Sequence, residues 1–443
     1  MPIRSHGGSH RRLRSITAMA GIAIAIIGTT SGCASLFGGG DGGPNQVSLM
    51  TIDAGADNVQ LTAIVNAFNK QSKADKDGEG GTGYTVKVTN IPEDSYDAKF
   101  STAMLGDPPD IASVADIFSF QPLDKIVYGD NNIPLDSFNQ ALPGNCGLDG
   151  KIYCVGTNVG NMILFYNKDL FDTAGIAYPS ATTPLTFPEY TSIAHQLTKK
   201  GATDDSTVWG TADVGVISWL DPAALVDPTG RKVEVTGPEF EGVIQSLTNA
   251  AQAGDMPTAD QADALGGGDG VNAMFLDGKL AMVMSDNYLL PQADKAKMNY
   301  GIAPAPVPVG TKPWVVTWTN SYGIPTGAKH SAGAAKFLAF MATKGQDIQA
   351  KYGYLPLGNA AAQSWADTPI RKQLIQVTNL VRTTVPQPHQ GEWQSPLYDA
   401  ITGAMFGNGK VDAALQGAQP KAQQALNDSW KSYDQATAAR KGN

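Results

Sequence analysis

Few of the residues able to attack a bond, carry a proton or hold a metal are spaced here so that they could act together. His6 and His10 fall in the first stretch, which leaves His195, His330 and His389 widely separated in the rest of the chain. None belongs to an H-E-x-x-H helix, and there is no G-x-S-x-G nucleophile turn and no G-x-x-x-x-G-K-[ST] phosphate loop. Gly266-Gly267-Gly268-Asp269-Gly270 lacks the spacing and preceding strand of a dinucleotide turn and reads as a surface loop. Cys146 and Cys154 flank the turn sequence Gly147-Leu148-Asp149-Gly150. With no His or second Cys pair nearby, they point to a disulfide rather than a metal site, two buried thiols being the other reading. A glycosidase would need two carboxylates facing each other across a sugar, and 41 acidic residues leave that open. No cofactor and no metal are expected.

The third cysteine has a different context. Arg11, Arg12 and Arg14 lead into an apolar run, residues 16–27, too short to span a bilayer. Thr30-Ser31-Gly32-Cys33 then resembles the bacterial lipobox, with Thr30 where that pattern usually has Leu. A signal peptide over residues 1–32 and a lipid on the Cys33 sulfur follow, an ordinary signal peptide cut near Cys33 being the alternative. A twin-Arg signal is disfavoured, because Arg14 stands where it wants an apolar residue. Either way the mature chain is expected outside the cytoplasm, held to the cell membrane by its lipid, where a disulfide is permitted. Residues 33–45, which include GGGDGGP, read as a flexible tether.

Stepping from these residues to the elements that carry them, the chain of 443 residues is long enough for two domains with sizeable cores. Hydrophobic residues make up 42% and charged residues 16%, a globular balance. The net charge of −9, even with the basic leader counted, argues against a nucleic-acid partner. Residues 47–52 read as a strand, Asp57 or Asn58 as the cap of a helix with Leu61, Ile64, Val65 and Phe68 on one face, and residues 84–88 as a second strand. A helix from Ser95 ends at Gly106, and residues 111–114 form a third strand. That alternation is the grammar of a parallel α/β sheet. Further helical stripes run through Phe240, Val243, Ile244 and Leu247, through Ala334, Phe337, Leu338 and Met341, and through Ile370, Leu374, Val377 and Val381. The Pro-rich residues 303–308 read as a strand crossing between lobes.

Five segments, in order, resemble the bacterial extracellular solute-binding proteins of the carbohydrate type, the group that includes maltose-binding proteins. They are Asp107-Pro108-Pro109-Asp110-Ile111; residues 164–176 (LFYNKDLFDTAGI); residues 184–190 (PLTFPEY), with Phe187 replacing the usual Trp; residues 275–282 (FLDGKLAM); and Tyr322-Gly323-Ile324-Pro325 with Lys336-Phe337-Leu338. The resemblance implies an α/β, two-lobed periplasmic-binding-protein-like fold of type II, with the ligand cleft between lobes joined by hinge strands. It divides the chain into residues 46–159 plus 303–330 for the first lobe and 160–302 plus 331–440 for the second. It also implies a monomeric, non-catalytic receptor that closes on an oligosaccharide and delivers it to the permease of an ABC importer. A receptor for a polyamine or another non-sugar solute, and a surface glycosidase, are the alternatives.

A pyranose has apolar C–H faces and a rim of hydroxyls, so its receptor needs aromatic platforms beside carboxylates and amides. The resemblance puts a stacking aromatic, usually Trp, at Tyr288, within Ser285-Asp286-Asn287-Tyr288, and Asp286 and Asn287 join it as candidates. Trp393 corresponds to the family's late aromatic, with Glu392 and His389 close enough in sequence to reach hydroxyls. Trp219 lies in the mid-chain stretch that supplies further contacts, core being an equal reading. Trp318 and Asn320 precede the Tyr322-Gly323 segment, while Trp314 reads as a loop aromatic. Asp116 follows the third strand. Asp53 and Asp57 lie at the carboxyl end of the first, where open α/β sheets bind ligands, Asp57 being equally a helix cap. Asn161, near the first crossing, completes the set, and Trp209, Trp365 and Trp430 read as structural.

Overall fold

The computed structural model describes residues 45–53, 58–74, 83–114, 117–139, 141–148, 150–212, 225–266, 270–380, 390–407 and 410–441. Its strands are β1 (Gln46–Asp53), β2 (Thr85–Pro92), β3 (Ile111–Ser113), β4 (Gly147–Leu148), β5 (Lys151–Ile152), β6 (Val155–Asn167), β7 (Met282–Asp286), β8 (Tyr300–Ala303) and β9 (Thr317–Gly323). β1 pairs in parallel with β2 on one side and β3 on the other. The parallel grammar read from the sequence therefore holds for these three strands. Alternation along them loads both faces. Val47, Leu49, Val86 and Ile111 join the larger core, and Met50, Ile91 and Ala112 join a small cluster with Tyr96, Phe100 and Phe120.

β9 runs antiparallel to β3 through Ala112↔Gly323 and Ser113↔Tyr322, and β6 runs antiparallel to β9. The first half of β6, from Val155 to Asn161, pairs with β9. Its second half pairs with β7 along one edge and β8 along the other. At 13 residues β6 is roughly 43 Å long, enough to serve both lobes with one strand. Its faces separate the cores. Val159, Ile163 and Phe165 point into the larger core, whereas Leu164 and Tyr166 point into the second, which the helices Pro238–Ala253, Gln390–Phe406 and Val411–Lys441 cover.

The connections differ from the expected boundaries in two places. Residues 303–308 do not cross between lobes. Ala303, Ala305 and Val307 are buried in the second core, where Val307 bridges to Thr186, and Trp314, in the loop that leads to β9, is buried there too. The crossing falls at β9 and in the middle of β6, since among the described strands only there does one strand pair with partners from both lobes. Nor does the whole of residues 331–440 belong to the second lobe. The helix Ser331–Ala342 packs its Phe337 and Phe340 edge-on against Phe68 of the helix Asn58–Ala74, at ring distances of 5.2 and 5.5 Å. Asn359 Nδ2 donates to the carbonyl of Asp136, so the first lobe keeps the chain past residue 358. The helix Pro369–Thr378 returns it to the second lobe, where Gln373 Nε2 donates to Ile302 O at 2.7 Å.

Local chemistry fixes the element ends. Thr186 and Glu189 form a reciprocal capping box that starts the helix Phe187–Leu197. Asn167 caps the helix Lys168–Ala174, which Gly175 ends in the left-handed region at φ 66°. Cys146 and Cys154 are bonded across the β4–β5 hairpin with their Cα atoms 5.2 Å apart, and Cys146 Sγ lies 3.6 Å from Ser321 Oγ on β9.

Candidate functional site

Where β6 and β9 pass from one lobe to the other, three aromatic rings gather on one face. Gly160 lies opposite Trp318 in the β6–β9 ladder, and a Cβ at Gly160 would overlap the indole, so glycine lets the ring lie flat over the strand. Tyr288 stands edge-on to Trp318 at 6.3 Å and 88°, and to Tyr354 at 5.1 Å and 81°. All three are half-buried. Thr317, Trp318, Thr319 and Asn320, the first four residues of β9, are half-buried as well, whereas Ser321, Tyr322 and Gly323 are buried. Both faces of the strand are thus partly open just where the lobes part.

Polar groups hold Tyr288 in place. Asn158 Nδ2 donates to its hydroxyl at 2.7 Å, and Thr157 Oγ1 donates to Asn158 Oδ1 at 3.0 Å. Asp286 Oδ1 accepts from the Tyr288 backbone N–H, capping the short turn Asn287–Leu289. Asn287 continues the ladder beyond β7 with its side chain. Its Oδ1 accepts from Asn161 N and its Nδ2 donates to Val159 O, both at 2.9 Å. Asn161, fully buried, donates from Nδ2 to Thr378 Oγ1 at 2.7 Å, and its Oδ1 has no hydrogen bond among the described residues.

The structure sorts the residues singled out by sequence. Tyr288, Trp318, Asn320, Asp286, Asn287 and Asn161 come together at the crossing. Within that group the last three are bracing rather than display, since Asp286, Asn287 and Asn161 are buried and bonded to backbone or to one another. Trp393 is a correction. It is 0% exposed in the second core, on the same helical face as Leu397, Ile401 and Ala404, and has no face left for a ligand. Glu392, one position before it, is exposed in the first turn of that helix, away from the crossing cluster's described contacts. Asp53 ends β1. Cys33, Asp57, Asp116, Trp219 and His389 lie outside the described residues.

Sequence reasoning missed Tyr354 and Asn158. Tyr352-Gly353-Tyr354-Leu355-Pro356 was the available signal, two aromatics around a glycine that sits at φ 87°, followed by a proline. The named side chains at the crossing are aromatic rings, amides and hydroxyls, with the one carboxylate used as a cap. Such a set can stack on an apolar face and exchange hydrogen bonds with hydroxyls. It contains no nucleophile paired with a base, and among the described residues no group of His, Cys, Asp and Glu could hold a metal ion.

Among solved structures, the fold resembles the ABC substrate-binding protein Lmo0181 from Listeria monocytogenes in complex with cycloalternan, with a TM-score of 0.73 at 19% identity over 86% of this chain and 99% of that one. It also resembles the sugar-binding protein MalE from Xanthomonas citri, with a TM-score of 0.71 at 18% identity over 88% of this chain and 99% of the other. The architecture is thus that of two-lobed periplasmic binding proteins. Among curated sequences, a maltooligosaccharide ABC transporter solute-binding lipoprotein of Streptococcus pneumoniae is 23% identical over 58% of this chain and 62% of its own length. The sn-glycerol-3-phosphate-binding periplasmic protein UgpB of Agrobacterium fabrum is 25% identical over 48% of this chain and 50% of its own. The chain therefore matches between half and two thirds of these relatives' lengths. The family model described as bacterial extracellular solute-binding protein matches residues 63–373, well over half of the sequence, and the chain belongs to that family.

Proposed function

We propose that this protein is an extracytoplasmic receptor for an oligosaccharide, which it encloses between its lobes and passes to the permease of an ABC importer without altering it. The observation that carries the reading is the half-exposed cluster Tyr288–Trp318–Tyr354 at the lobe crossing, bordered by Asn158, Thr317, Thr319 and Asn320. Flat rings accept the C–H face of a pyranose while amides and hydroxyls take its rim, and the named groups are neutral, as suits an uncharged sugar. The sugars bound by structural neighbours and the maltooligosaccharide relative support the same ligand class. Cys33 would carry the lipid that keeps the receptor at the membrane as a monomer, and the bridge between Cys146 and Cys154 suits that location.

Titration calorimetry with maltooligosaccharides, sn-glycerol 3-phosphate and spermidine tests the ligand class. Binding of an oligosaccharide, with no new reducing ends after long incubation, is the expected result. Binding of the phosphate or the polyamine alone would replace the sugar reading, and release of reducing ends would make the protein a glycosidase.

A further inference from the structure

One short helix of the first lobe carries two buried glutamines with opposite surroundings. The helix Lys344–Ala350 packs against the helix Asn58–Ala74 and against β6. Gln346, 4% exposed, has its whole amide in use. Its Nε2 donates to Gly156 O at 3.0 Å and to Met341 O at 3.2 Å, and its Oε1 accepts from Gly358 N at 2.8 Å. Gln349, nearly one turn on, is 0% exposed, and neither its Oε1 nor its Nε2 has a hydrogen bond among the described residues. On the neighbouring helix Gln60 is buried too, and its Oε1 is likewise without a partner among them. Burying an amide without replacing the bonds it made to water is costly, so these three atoms call for a ligand.

The packing register relates the two residues. Lys344 Nζ donates to Gln71 Oε1 at 3.0 Å, and a Cβ at Gly345 would lie 3.6 Å from Ile64 Cγ2. The chain thus moves forward along one helix as it moves back along the other. Residue 349 follows 345 by one turn and residue 60 precedes 64 by one turn, each on the face that makes these contacts. Gln60 accordingly extends the buried stripe of Leu61, Ile64, Val65 and Phe68.

We propose that Gln60 and Gln349 meet across this helix pair as a buried hydration site that holds water as a bound ligand. The atoms decide the chemistry, since two carbonyl oxygens need donors and Nε2 needs an acceptor. A metal ion would meet the oxygens and leave the N–H groups, and an anion would do the reverse. Water brings two hydrogens and two lone pairs in a small volume, and internal water makes about three such bonds. The site lies behind the aromatic cluster of the crossing and is separate from it. Tyr352 N donates to Gln349 O and Val159 N donates to Leu355 O, so Tyr354 rides on the stretch between the hydration site and β6.

A crystal structure of the ligand-free protein tests the site directly. The expected result is a solvent peak within hydrogen-bonding distance of both Gln60 and Gln349. Amides bonded directly to protein groups, or no solvent between them, would overturn it. Melting of Gln60→Met, Gln349→Met and the double variant gives a second readout with apolar side chains of similar shape. Each single variant leaves the other amide short of partners and should melt about 2–4 °C lower, whereas the double variant leaves nothing to satisfy and should recover most of that loss. Losses that simply add would remove the shared site, and the wild-type crystal decides the matter should a variant fail to fold. No sugar is present in either experiment, so their outcome and that of the sugar reading are independent.

Discussion

The crossing strands and the helical layer of the second lobe use tryptophan in opposite ways. Trp318 lies half-buried on β9 over a glycine, with Tyr288 edge-on both to it and to Tyr354 and polar side chains beside them. Trp393 lies in the first turn of the helix Gln390–Phe406, wholly buried in the second core. The residue type is the same and the setting decides the role. A ring held by polar braces at a lobe boundary can be offered to a ligand, whereas a ring on a helical apolar stripe is packing.

The largest expected effect separates the two regions on stability. Trp393→Ala should destabilise the fold by about 3–5 kcal/mol, seen as a much lower melting temperature. A small loss would mean that the helical layer is as loosely packed as the crossing. The disulfide staples the first-lobe side of the crossing, beside Ser321 of β9. Replacing Cys146 and Cys154 together by Ser should cost about 2.5 kcal/mol for a loop of this length. Neither thiol should label in denatured protein until reductant is added, and labelling of both beforehand removes the staple from the account.

Tyr288→Ala should weaken sugar binding by about 1–3 kcal/mol while the ligand-free melting temperature changes little, the reverse of Trp393. Calorimetry and melting on these two variants test the comparison directly. Equal affinity in Tyr288→Ala and wild type would move the binding surface to Trp318 or elsewhere. The smallest effect belongs to a helix end in the second lobe. Thr186→Ala should cost about 1 kcal/mol by removing the cap. Its partner Glu189 has its carboxyl held below the usual glutamate range by the Thr186 backbone N–H and hydroxyl. That contribution is present above the ordinary glutamate pKa and disappears as pH falls through the lowered one. The stability gap between wild type and Glu189→Gln should therefore narrow in acid, and a gap that widens there would contradict the capping geometry.

Residues with regular periodicity were readable in advance. The stripe Leu61, Ile64, Val65, Phe68 and the alternation in β1 name their own faces, because each side chain's burial depends on neighbours a few positions away. β6 gives no such signal. Its residues are buried on both faces with the exception of half-buried Met162, and Thr157, Asn158 and Asn161 are among them, hydrogen-bonded to partners more than a hundred positions distant. Tyr288 was found through the family motif around it, while Tyr354 joins it only through the fold. Trp393 was misassigned although the sequence held the correction. Trp393, Leu397, Ile401 and Ala404 follow helical spacing, and that stripe outweighs the correspondence to the family's late aromatic.

The pairing of β3 with β9 also constrains how the molecule comes into being. Ser48, Asp110 and His330 meet in one hydrogen-bonded set, with His330 N donating to an Asp110 oxygen 220 positions earlier. Contacts of such long sequence separation close slowly, since most of the chain must be ordered before they form. A chain that has been made or released only as far as residue 316 carries β1, β2 and β3 with one flank of the sheet open. β3 is three residues long, and so short an edge offers little template for pairing with a second molecule. The brevity of that strand thus protects the half-finished first lobe during the interval in which the chain between β3 and β9 is being made.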